Sequence, residues 1–336
     1  MTKKILVLPG DGIGPEVTYS AVSVMKQAAK GKIEIFYGDI GQSAFVKTSE
    51  YLPADTIDLA TDADAIIAGG VIENPSSRAG QNPIRVLKKQ LNLYSVVRKF
   101  FPLCKEIGIP GVDLLLITGN PDTLLSIQET ESLDGVNSHR FLSAVSCKRL
   151  FQKTARLSST MNRKKITCTH RMCMFPSLDR MFVEYFYKEL AGSEFLIEDM
   201  EVEVAASELV KNPPSMDVIV STDIYGTVLA GVAAGMVGGS YLTPVGSIGD
   251  NSGLFEPMHG PNPTLAKEGT VNPTSAILSA AMAFDNMGMP MEAEKIRKAV
   301  RHVYSNGTIT PDVGGKATTK EFTNSVITAL EKMYEG

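Results

Sequence analysis

Short apolar runs alternate along the chain with longer segments in which apolar and polar positions follow a helical period. The run at residues 5–8 comes first, a turn at 10–14 follows, and Pro15 suits the first position of a helix. The predicted strands are residues 5–8, 33–37, 65–68, 113–117, 165–169, 195–197 and 217–221. The predicted helices are residues 15–26, 143–155, 177–190, 202–212, 274–285, 292–304 and 320–334. This alternation predicts an α/β fold with a largely parallel sheet.

Pro and Gly cluster in three places: at residues 73–83, at Pro213-Pro214 and at residues 238–263. The middle cluster is predicted to be a helix-to-strand turn. The first and last are predicted to be functional loops or domain crossovers, because long irregular segments inside a compact protein usually are. We find no internal repeat or low-complexity tract.

The length of 336 residues favours two domains or one large one, and 43% hydrophobic residues suffice for a sizeable core. A net charge of -4 gives no electrostatic reason to expect nucleic acid or an anionic membrane as partner. The chain has no run of about 18 apolar residues and no signal-peptide pattern, so we expect a cytoplasmic protein. Its four cysteines form no CxxC pair and are predicted to be free thiols.

Four motifs carry a family resemblance. They are GDGIGPE at residues 10–16, LTPVGSIGD at 242–250 leading to FEPMHGPNP at 255–263, NPTSAILSA at 272–280 and TPDVGG at 310–315. In order and spacing they resemble the β-decarboxylating dehydrogenases, which include isocitrate, 3-isopropylmalate and homoisocitrate dehydrogenases. The first motif does not fit a Rossmann fingerprint, because its third glycine falls one position early.

The resemblance implies an isocitrate/isopropylmalate dehydrogenase-like fold, with two domains around a long mixed sheet rather than a Rossmann fold. It implies a large domain of residues 1–99 plus 238–336 and a smaller inserted domain of residues 100–237, with the active site in the cleft between them. It also implies a homodimer whose small domains pack together and whose active sites borrow residues from the partner.

Members of this family oxidise a 2-hydroxy acid and decarboxylate the product, and a divalent metal stabilises the enolate. The resemblance places two of the metal-binding aspartates at Thr227 and Gly231, and the third, which the partner supplies, at Glu203. A neutral hydroxyl and a hydrogen atom cannot replace carboxylate ligands of Mg²⁺ or Mn²⁺, so we do not expect tight binding of either ion. Nearby Asp223 is either a substitute ligand or, more commonly for this residue type, a helix cap.

The family's proton-transfer residues are a lysine and a tyrosine, which correspond to Arg171 and Leu125. Arginine does not deprotonate near neutral pH, and leucine has no proton to donate. The resemblance places three substrate arginines at Lys88, Arg98 and Thr118. Lys88 keeps the charge but loses the two-pronged grip, and Arg98 is retained. Lys88 and Arg98 are therefore the predicted substrate-binding residues, with a solvated helix or strand end as the alternative.

The cofactor region keeps more of the family's residues. Thr264 stands where the family has the aspartate that selects NAD, and it does not match the Lys-Tyr pair of NADP-dependent relatives either. NAD and NADP therefore both remain open as cofactors. The predicted cofactor-binding residues are Gly12, Ile13, His259, Gly260, Asn272 and Asp312.

Two functional hypotheses follow. The favoured one is a non-catalytic relative that binds a nucleotide or small anion, or that serves as a regulatory partner in a hetero-oligomer with an active homologue. The alternative is an active NAD(P)-dependent 2-hydroxy acid oxidoreductase with an altered substrate or mechanism. Its site would draw on Lys88, Arg98, Glu203, Asp223 and the region of Asp250 and His259.

Overall fold

The computed structural model of the chain describes residues 2–72, 82–120 and 125–335. Its strands are β1 (Lys3–Leu8), β2 (Ile33–Tyr37), β3 (Ala65–Ala68), β4 (Ser95–Phe100), β5 (Leu114–Gly119), β6 (Leu125–Ser132), β7 (Gly135–Leu142), β8 (Lys165–His170), β9 (Leu196–Glu201), β10 (Val218–Ser221), β11 (Pro244–Ile248) and β12 (Gly253–Pro257). Its α-helices are α1 (Gly14–Ala29), α2 (Gln42–Thr48), α3 (Ala54–Asp62), α4 (Pro83–Gln90), α5 (Ala144–Thr160), α6 (Leu178–Leu190), α7 (Val202–Lys211), α8 (Asp223–Met236), α9 (Thr274–Asn286), α10 (Pro290–Ser305) and α11 (Thr319–Glu335).

Ten of these strands form one mixed sheet in the order β2-β1-β3-β12-β11-β4-β5-β10-β8-β9, while β6 and β7 form a separate hairpin. Strand β1 pairs in parallel with β2 and β3, and β10 pairs in parallel with β5 and β8. The pairs β11–β12 and β4–β5 are antiparallel. The predicted α/β class with a long mixed sheet is confirmed.

The chain divides into two compact units. The first unit comprises Met1–Leu93, Pro102–Pro110 and Val237–Gly336, and the second comprises Tyr94–Phe101 and Gly111–Met236. The predicted domain limits, 1–99 plus 238–336 and 100–237, stay a prediction. No described helix is both long and apolar enough to span a membrane. All four cysteines are free thiols, as predicted.

Each unit has its own apolar core. In the first unit, β1 and β3 contribute buried aliphatic residues, and helix α9 is buried at every position from 274 to 284. In the second unit, the ring of Phe151 lies 4.8 Å from that of Phe182 and 5.6 Å from that of Phe186, which joins α5 to α6. Full burial of such side chains contributes about 1.5–3 kcal/mol each before entropic costs.

The prediction of an irregular segment at residues 238–263 was wrong in part, because β11 and β12 form an antiparallel pair there. The glycines that suggested a loop make room for one aromatic ring. A β-carbon at Gly246 or Gly253 would lie 2.9 or 2.8 Å from ring atoms of Phe255. The prediction at Pro213-Pro214 is confirmed, since a single 3-10 turn joins α7 to β10.

Strand β9 is longer than predicted, because its acidic residues have partners on β8. Glu198 Oε1 accepts a hydrogen bond from the Thr167 hydroxyl at 2.9 Å, and Asp199 Oδ2 lies 2.9 Å from His170 Nε2. These cross-strand partners allow polar positions to continue a strand that appeared to end at residue 197.

Candidate functional site

The turn after β1 is built around Gly12 and Ile13, two of the predicted cofactor positions. Gly12 has a φ of +59°, a left-handed conformation that favours glycine. A β-carbon at Gly12 would lie 2.0 Å from the carbonyl oxygen of Pro261. Ile13 is buried and donates its backbone N–H to that same oxygen at 2.8 Å. The turn is therefore in direct backbone contact with the segment that contains His259.

Asp11, which the sequence analysis did not single out, anchors this turn. Its Oδ2 atom accepts hydrogen bonds from the backbone N–H groups of Gln42 and Ile72, both at 2.8 Å. Its Oδ1 atom accepts from the backbone N–H of Ser43 at 2.8 Å. The available signal was an acidic residue between two glycines, a place where carboxylates often accept backbone hydrogen bonds.

His259 has the clearest unused binding capacity among the predicted cofactor residues. Its ring stacks on that of Tyr241, with centroids 4.3 Å apart and an interplanar angle of 21°. Nδ1 lies 3.0 Å from the carbonyl oxygen of Gly260, so Nδ1 carries the proton and donates it. Nε2 is consequently an acceptor, and it is buried without a hydrogen-bond partner among the described residues. Burial lowers the pKa of His259, which keeps the ring neutral at pH 7.

Two hydrogen bonds and a ring stack link His259 to the position predicted to select the cofactor. The Thr264 hydroxyl donates to Asn262 Oδ1 at 2.9 Å, and Asn262 Nδ2 donates to the hydroxyl of Tyr241 at 2.9 Å. Tyr241 in turn stacks on His259. Thr264 therefore has a structural partner and presents no charge for a ribose or a phosphate.

Asn272 and Asp312 are brought together, as two cofactor positions of one site would be. Asn272 Nδ2 donates to Asp312 Oδ2 and to the Tyr304 hydroxyl, both at 3.1 Å. Asn272 Oδ1 accepts from the backbone N–H of Thr274 at 3.0 Å, and Asp312 Oδ1 accepts from the Thr310 hydroxyl at 2.6 Å. Burial raises the pKa of Tyr304, so its hydroxyl stays protonated. The side chain of Asn272 is thus largely satisfied within the chain.

The two predicted substrate-binding cations have acceptors inside their own units. Lys88 forms an ion pair with Glu256, and the two side chains are 11% and 19% exposed. Arg98 Nη1 donates to the hydroxyl of Thr118 at 3.3 Å. Lys88 is therefore not a solvated helix end, and the assignment of both residues to substrate binding stays a prediction.

Arg171 and Glu203 form an ion pair within the chain. The family resemblance predicts that they occupy the positions of the catalytic lysine and of the third metal ligand. Arg171 follows β8 directly, and Glu203 lies in the first turn of α7. The pair leaves the guanidinium and the carboxylate neutralising each other, at side-chain exposures of 32% and 51%.

Cys173, which follows the same strand, is exposed. Its Sγ donates to Glu201 Oε2 at 3.4 Å, and its backbone N–H donates to the same carboxylate. The buried ring of His170 places Nε2 2.9 Å from Asp199 and Nδ1 3.5 Å from Glu201. The ends of β8 and β9 thus form a polar network of internally paired groups.

Thr227 and Gly231 lie one turn apart on α8, and both are exposed. Asp223 is the first residue of the same helix. Gly226 packs against β5, since a β-carbon there would lie 2.1 Å from Cγ2 of Thr118. Close packing by Gly226 therefore holds the first turn of α8 against the sheet, while the two predicted metal positions, Thr227 and Gly231, carry no carboxylate.

These residues do not fit a hard divalent cation. Mg²⁺ and Mn²⁺ require carboxylate or carbonyl oxygens, whereas Thr227 offers one neutral hydroxyl and Gly231 offers no side chain. The remaining carboxylate, Glu203, is already paired with Arg171. Within the described part of the chain, one group of three potential ligands has its ligand atoms within 4.8 Å of one another, and it consists of Cys173, Glu201 and Glu203. Each of these three already has a partner inside the chain.

Two sequence predictions fall partly or wholly outside the described residues. The cluster at residues 73–83 is described only at its end, where Asn82 caps α4 by accepting a hydrogen bond from the backbone N–H of Arg85 at 3.1 Å. Residues 121–124 are also outside the described ranges. Leu125, the predicted replacement of the catalytic tyrosine, begins β6, and only its backbone is described.

The comparison with known proteins covers nearly the whole chain. Residues 4–326 match the family model for isocitrate/isopropylmalate dehydrogenase. The chain is 33% identical to the homoisocitrate dehydrogenase of Methanocaldococcus jannaschii over 99% of both chains. It is 34% identical to the isocitrate/homoisocitrate dehydrogenase of Thermus thermophilus over 99% of this chain and 100% of that protein.

Solved structures give the same picture. The crystal structure of isocitrate dehydrogenase from Methylococcus capsulatus superposes with a TM-score of 0.89 at 27% identity, over 98% of this chain and 99% of that one. A β-decarboxylating dehydrogenase from Thermococcus kodakarensis superposes with a TM-score of 0.88 at 28% identity, over 99% and 98%. Sequence motifs, strand order and these matches agree, and the chain belongs to the isocitrate/isopropylmalate dehydrogenase family.

Proposed function

We propose that this chain binds a nucleotide and does not catalyse metal-dependent oxidative decarboxylation, so that it acts as a binding or regulatory member of its family. The observation that carries the proposal is the ion pair between Arg171 and Glu203. It joins, within one chain, the two groups that the family resemblance assigns to proton transfer and to metal binding.

Arg171 does not serve as a base in this arrangement. A guanidinium keeps its proton at any physiological pH, and here it is paired with the carboxylate of Glu203. The guanidinium of Arg171 neutralises the negative charge of Glu203, which is then not available to a metal cation. Proton abstraction from a hydroxy acid therefore has no acceptor at this position.

The loss extends beyond one residue. Thr227 and Gly231 supply no anionic ligand, and Leu125 has no proton to donate to a carbanion. Each general acid or base contributes about 10²- to 10⁴-fold to a rate, and electrostatic stabilisation is usually the largest single contribution. Loss of the metal and both proton-transfer groups removes on the order of 10⁶-fold or more, although such losses do not add simply.

The nucleotide side of the chain supports the positive half of the proposal. NAD(P), the family's cofactor, supplies hydride transfer when bound, and its nucleotide portion can be held without that chemistry. The residues that would hold it are Gly12, Ile13, His259, Gly260, Asn272 and Asp312. The buried acceptor Nε2 of His259 supports a ligand that donates a hydrogen bond. With Thr264 paired to Asn262, we expect similar affinities for NAD and NADP.

Steady-state assays and calorimetry on the purified protein test the proposal. Isocitrate, 3-isopropylmalate, homoisocitrate and tartrate are each supplied with Mg²⁺ or Mn²⁺ and with NAD or NADP. The homoisocitrate dehydrogenase of Methanocaldococcus jannaschii serves as the active control. We expect saturable nucleotide binding and a turnover at least 10⁴-fold below that control. Turnover close to the control's rate would reject the proposal.

The second candidate function is an active NAD(P)-dependent 2-hydroxy acid oxidoreductase with an altered substrate. It is supported by the names of the relatives, which are those of dehydrogenases and match over nearly full length. It predicts saturable NAD(P)H production from some hydroxy acid, and substitution of Arg98 by Met would abolish that production. The absence of nucleotide binding in calorimetry would exclude this candidate.

We further propose that the chain forms a homodimer through the β6–β7 hairpin. An isolated two-stranded hairpin is marginally stable in water, and Val136 and Phe141 on β7 are 64% and 68% exposed. A second copy would cover these side chains. Sedimentation velocity should give a dimer for the wild type and a monomer for Phe141→Glu. Val46→Glu, on an exposed position of the first unit, is the matched control.

The alternative partner is an active homologue in a hetero-oligomer. It would use the same hairpin, and it predicts co-purification of a second family member from the native source. A homogeneous preparation from that source would count against it.

A further inference from the structure

We propose that Tyr241 covers His259 and sets the affinity of the nucleotide site, because a base reaches His259 only after the tyrosine ring moves aside. The proposal rests on the nucleotide binding proposed above. It adds a residue and a mechanism that the family motifs do not supply.

The first step of the argument is that His259 is closed in. The residue is only 8% exposed, and one face of its ring is taken by the ring of Tyr241 at 4.3 Å. Parallel stacking at this distance is an attractive contact between the two rings. A ligand ring that stacks on this face of His259 must therefore displace Tyr241.

The second step is that His259 has an acceptor for which the described part of the chain provides no donor. Nδ1 donates to the carbonyl oxygen of Gly260, and Nε2 is a buried acceptor without a donor among the described residues. Leaving a buried polar atom unpaired is costly, and such atoms in native proteins commonly mark a binding role. A planar ring with an exocyclic amino group, such as adenine, supplies both the stacking face and the missing donor.

The third step is that Tyr241 lies in a local structure that lets its ring move. It lies on a single 3-10 turn, Ser240–Leu242, and is only partly buried. Gly238 and Gly239 precede the turn at φ values of +103° and +115°. A β-carbon at Gly239 would meet no atom within 4 Å, whereas one at Gly238 would lie 2.6 Å from Cγ2 of Ile107. Leu242, at the end of the turn, is buried and fixes the turn to the core, whereas the Tyr241 side chain is partly exposed and is held by its ring stack and one hydrogen bond.

The fourth step is that one hydrogen bond holds the cover closed. Asn262 Nδ2 donates to the Tyr241 hydroxyl at 2.9 Å, and Thr264 holds the amide of Asn262 in turn. Asn262 has a φ of +34°, a left-handed conformation that asparagine adopts more readily than most residues. Tyr241 is therefore tethered through its hydroxyl and stacked through its ring, and these two contacts can be removed separately.

The experiment compares the wild type with Tyr241→Ala, which removes both contacts, and Tyr241→Phe, which removes only the tether. Tyr37→Ala is the matched control, since Tyr37 is half exposed, packs on another aromatic ring and lies in the same unit. The first measurement uses the nucleotide-free protein. Diethylpyrocarbonate modification of His259 is followed by mass spectrometry, with the exposed His302 as internal reference.

We expect Tyr241→Ala to accelerate modification of His259 about tenfold, and Tyr241→Phe about threefold, with His302 unchanged. The second measurement is the affinity for AMP by calorimetry. Tyr241→Ala should bind AMP about tenfold more tightly than the wild type, and Tyr241→Phe about threefold. Purine riboside 5′-monophosphate, which lacks the amino group, should show a smaller gain than AMP.

The outcomes separate this proposal from the proposed function. An unchanged modification rate of His259 in Tyr241→Ala would overturn the cover, whether or not AMP binds. Weaker AMP binding in Tyr241→Ala would also overturn it, because the ring would then be a support for the base. Faster modification with no AMP binding in any variant would keep the cover but reject nucleotide binding, and with it the role of Tyr241 in affinity. If Tyr241→Ala fails to fold, Tyr241→Phe decides the result by the same criteria.

Discussion

Two sets of positions that the family resemblance singles out differ in whether they keep the family's residue chemistry. The predicted nucleotide-side segments, residues 10–13, 259–264 and 272, keep a dense network in which Ile13, Asp11 and Asn272 bind the backbone around them. The predicted proton-transfer and metal positions, Arg171, Glu203, Thr227 and Gly231, lie after β8, on α7 and on α8 but carry different chemistry from the family's residues. The fold tolerates the second kind of change because these side chains are exposed or half-exposed.

The difference teaches that fold and chemistry impose separate constraints. The nucleotide-side residues act through backbone geometry on which the first unit depends, so a substitution there costs stability. The positions predicted to transfer protons and bind metal carry exposed or half-exposed side chains, so a substitution there leaves the fold intact. The four predictions below test this contrast, beginning with the largest effect.

Asp11→Ala should destabilise the protein by about 4 kcal/mol. The substitution leaves the backbone N–H groups of Gln42, Ser43 and Ile72 without their acceptor, and each unpaired donor costs about 1–3 kcal/mol. Unfolding in urea measures the free energy of unfolding. The control Asp58→Ala, on an exposed helix position, should change that free energy by less than about 0.5 kcal/mol. A loss of unfolding free energy below 1 kcal/mol for Asp11→Ala would contradict the interpretation that Asp11 anchors this turn.

Lys88→Met should cost about 3 kcal/mol, because it leaves the carboxylate of Glu256 unpaired in a largely buried position. The double variant Lys88→Met/Glu256→Met should regain most of that loss, since removing both charges abolishes the unpaired one. The urea-unfolding free energies of the two variants make the comparison. Equal unfolding free energies of Lys88→Met and the wild type would instead favour a role of Lys88 in substrate binding.

The sequence predicted more of the fold than of the site. Alternating apolar runs located seven of the strands, and the motifs gave the family, because both follow from burial and from the fixed periods of strands and helices. The β11–β12 pair was missed, since Gly246 and Gly253 mark packing against the Phe255 ring, a contact between residues whose proximity no local pattern encodes. The hairpin β6–β7 was missed as well, as its exposed, polar strands lack the apolar signal of a core strand.

The functional assignment of the site residues stays a prediction, but the structure adds their partners. The family resemblance assigned Arg171 and Glu203 to proton transfer and metal binding, and the coordinates reveal that the two side chains bind each other. Likewise, the motif indicated His259, whereas the stacked Tyr241 and the unpaired Nε2 depend on tertiary packing. A sequence gives residue types in order, and ion pairs between residues 32 positions apart depend on how strands and helices are arranged.

Restoring carboxylates to α8 should restore affinity for a metal. In Thr227→Asp/Gly231→Asp, the two side chains lie one turn apart on an exposed face and can share a cation. We expect the affinity for Mn²⁺, measured by the loss of the free-ion EPR signal, to rise at least tenfold over the wild type. Thr227→Ser/Gly231→Ala adds no charge and should not change it. Tight binding of Mn²⁺ by the wild type would break the contrast between the two sets of positions.

The smallest effect concerns pH and the His259 ring. Burial lowers the pKa of His259 in the folded protein, whereas the unfolded chain has a pKa near 6.5. Between these two values the unfolded state binds more protons than the folded state. Stability is therefore complete above about pH 6.5 and falls as the pH drops toward the lowered folded-state value.

His259→Gln should flatten this dependence, because glutamine does not titrate. Urea unfolding of the wild type and the variant at pH 7.5, 6.5 and 5.5 measures the two slopes, and His302→Gln, at an exposed position, should retain the wild-type slope. If the Tyr241 ring keeps water away from His259, Tyr241→Ala should also weaken the dependence of the unfolding free energy on pH. Burial then lowers the pKa of the more hydrated imidazole by less. Identical slopes of unfolding free energy against pH for the wild type and His259→Gln would mean that titration of the buried imidazole does not cause the pH dependence.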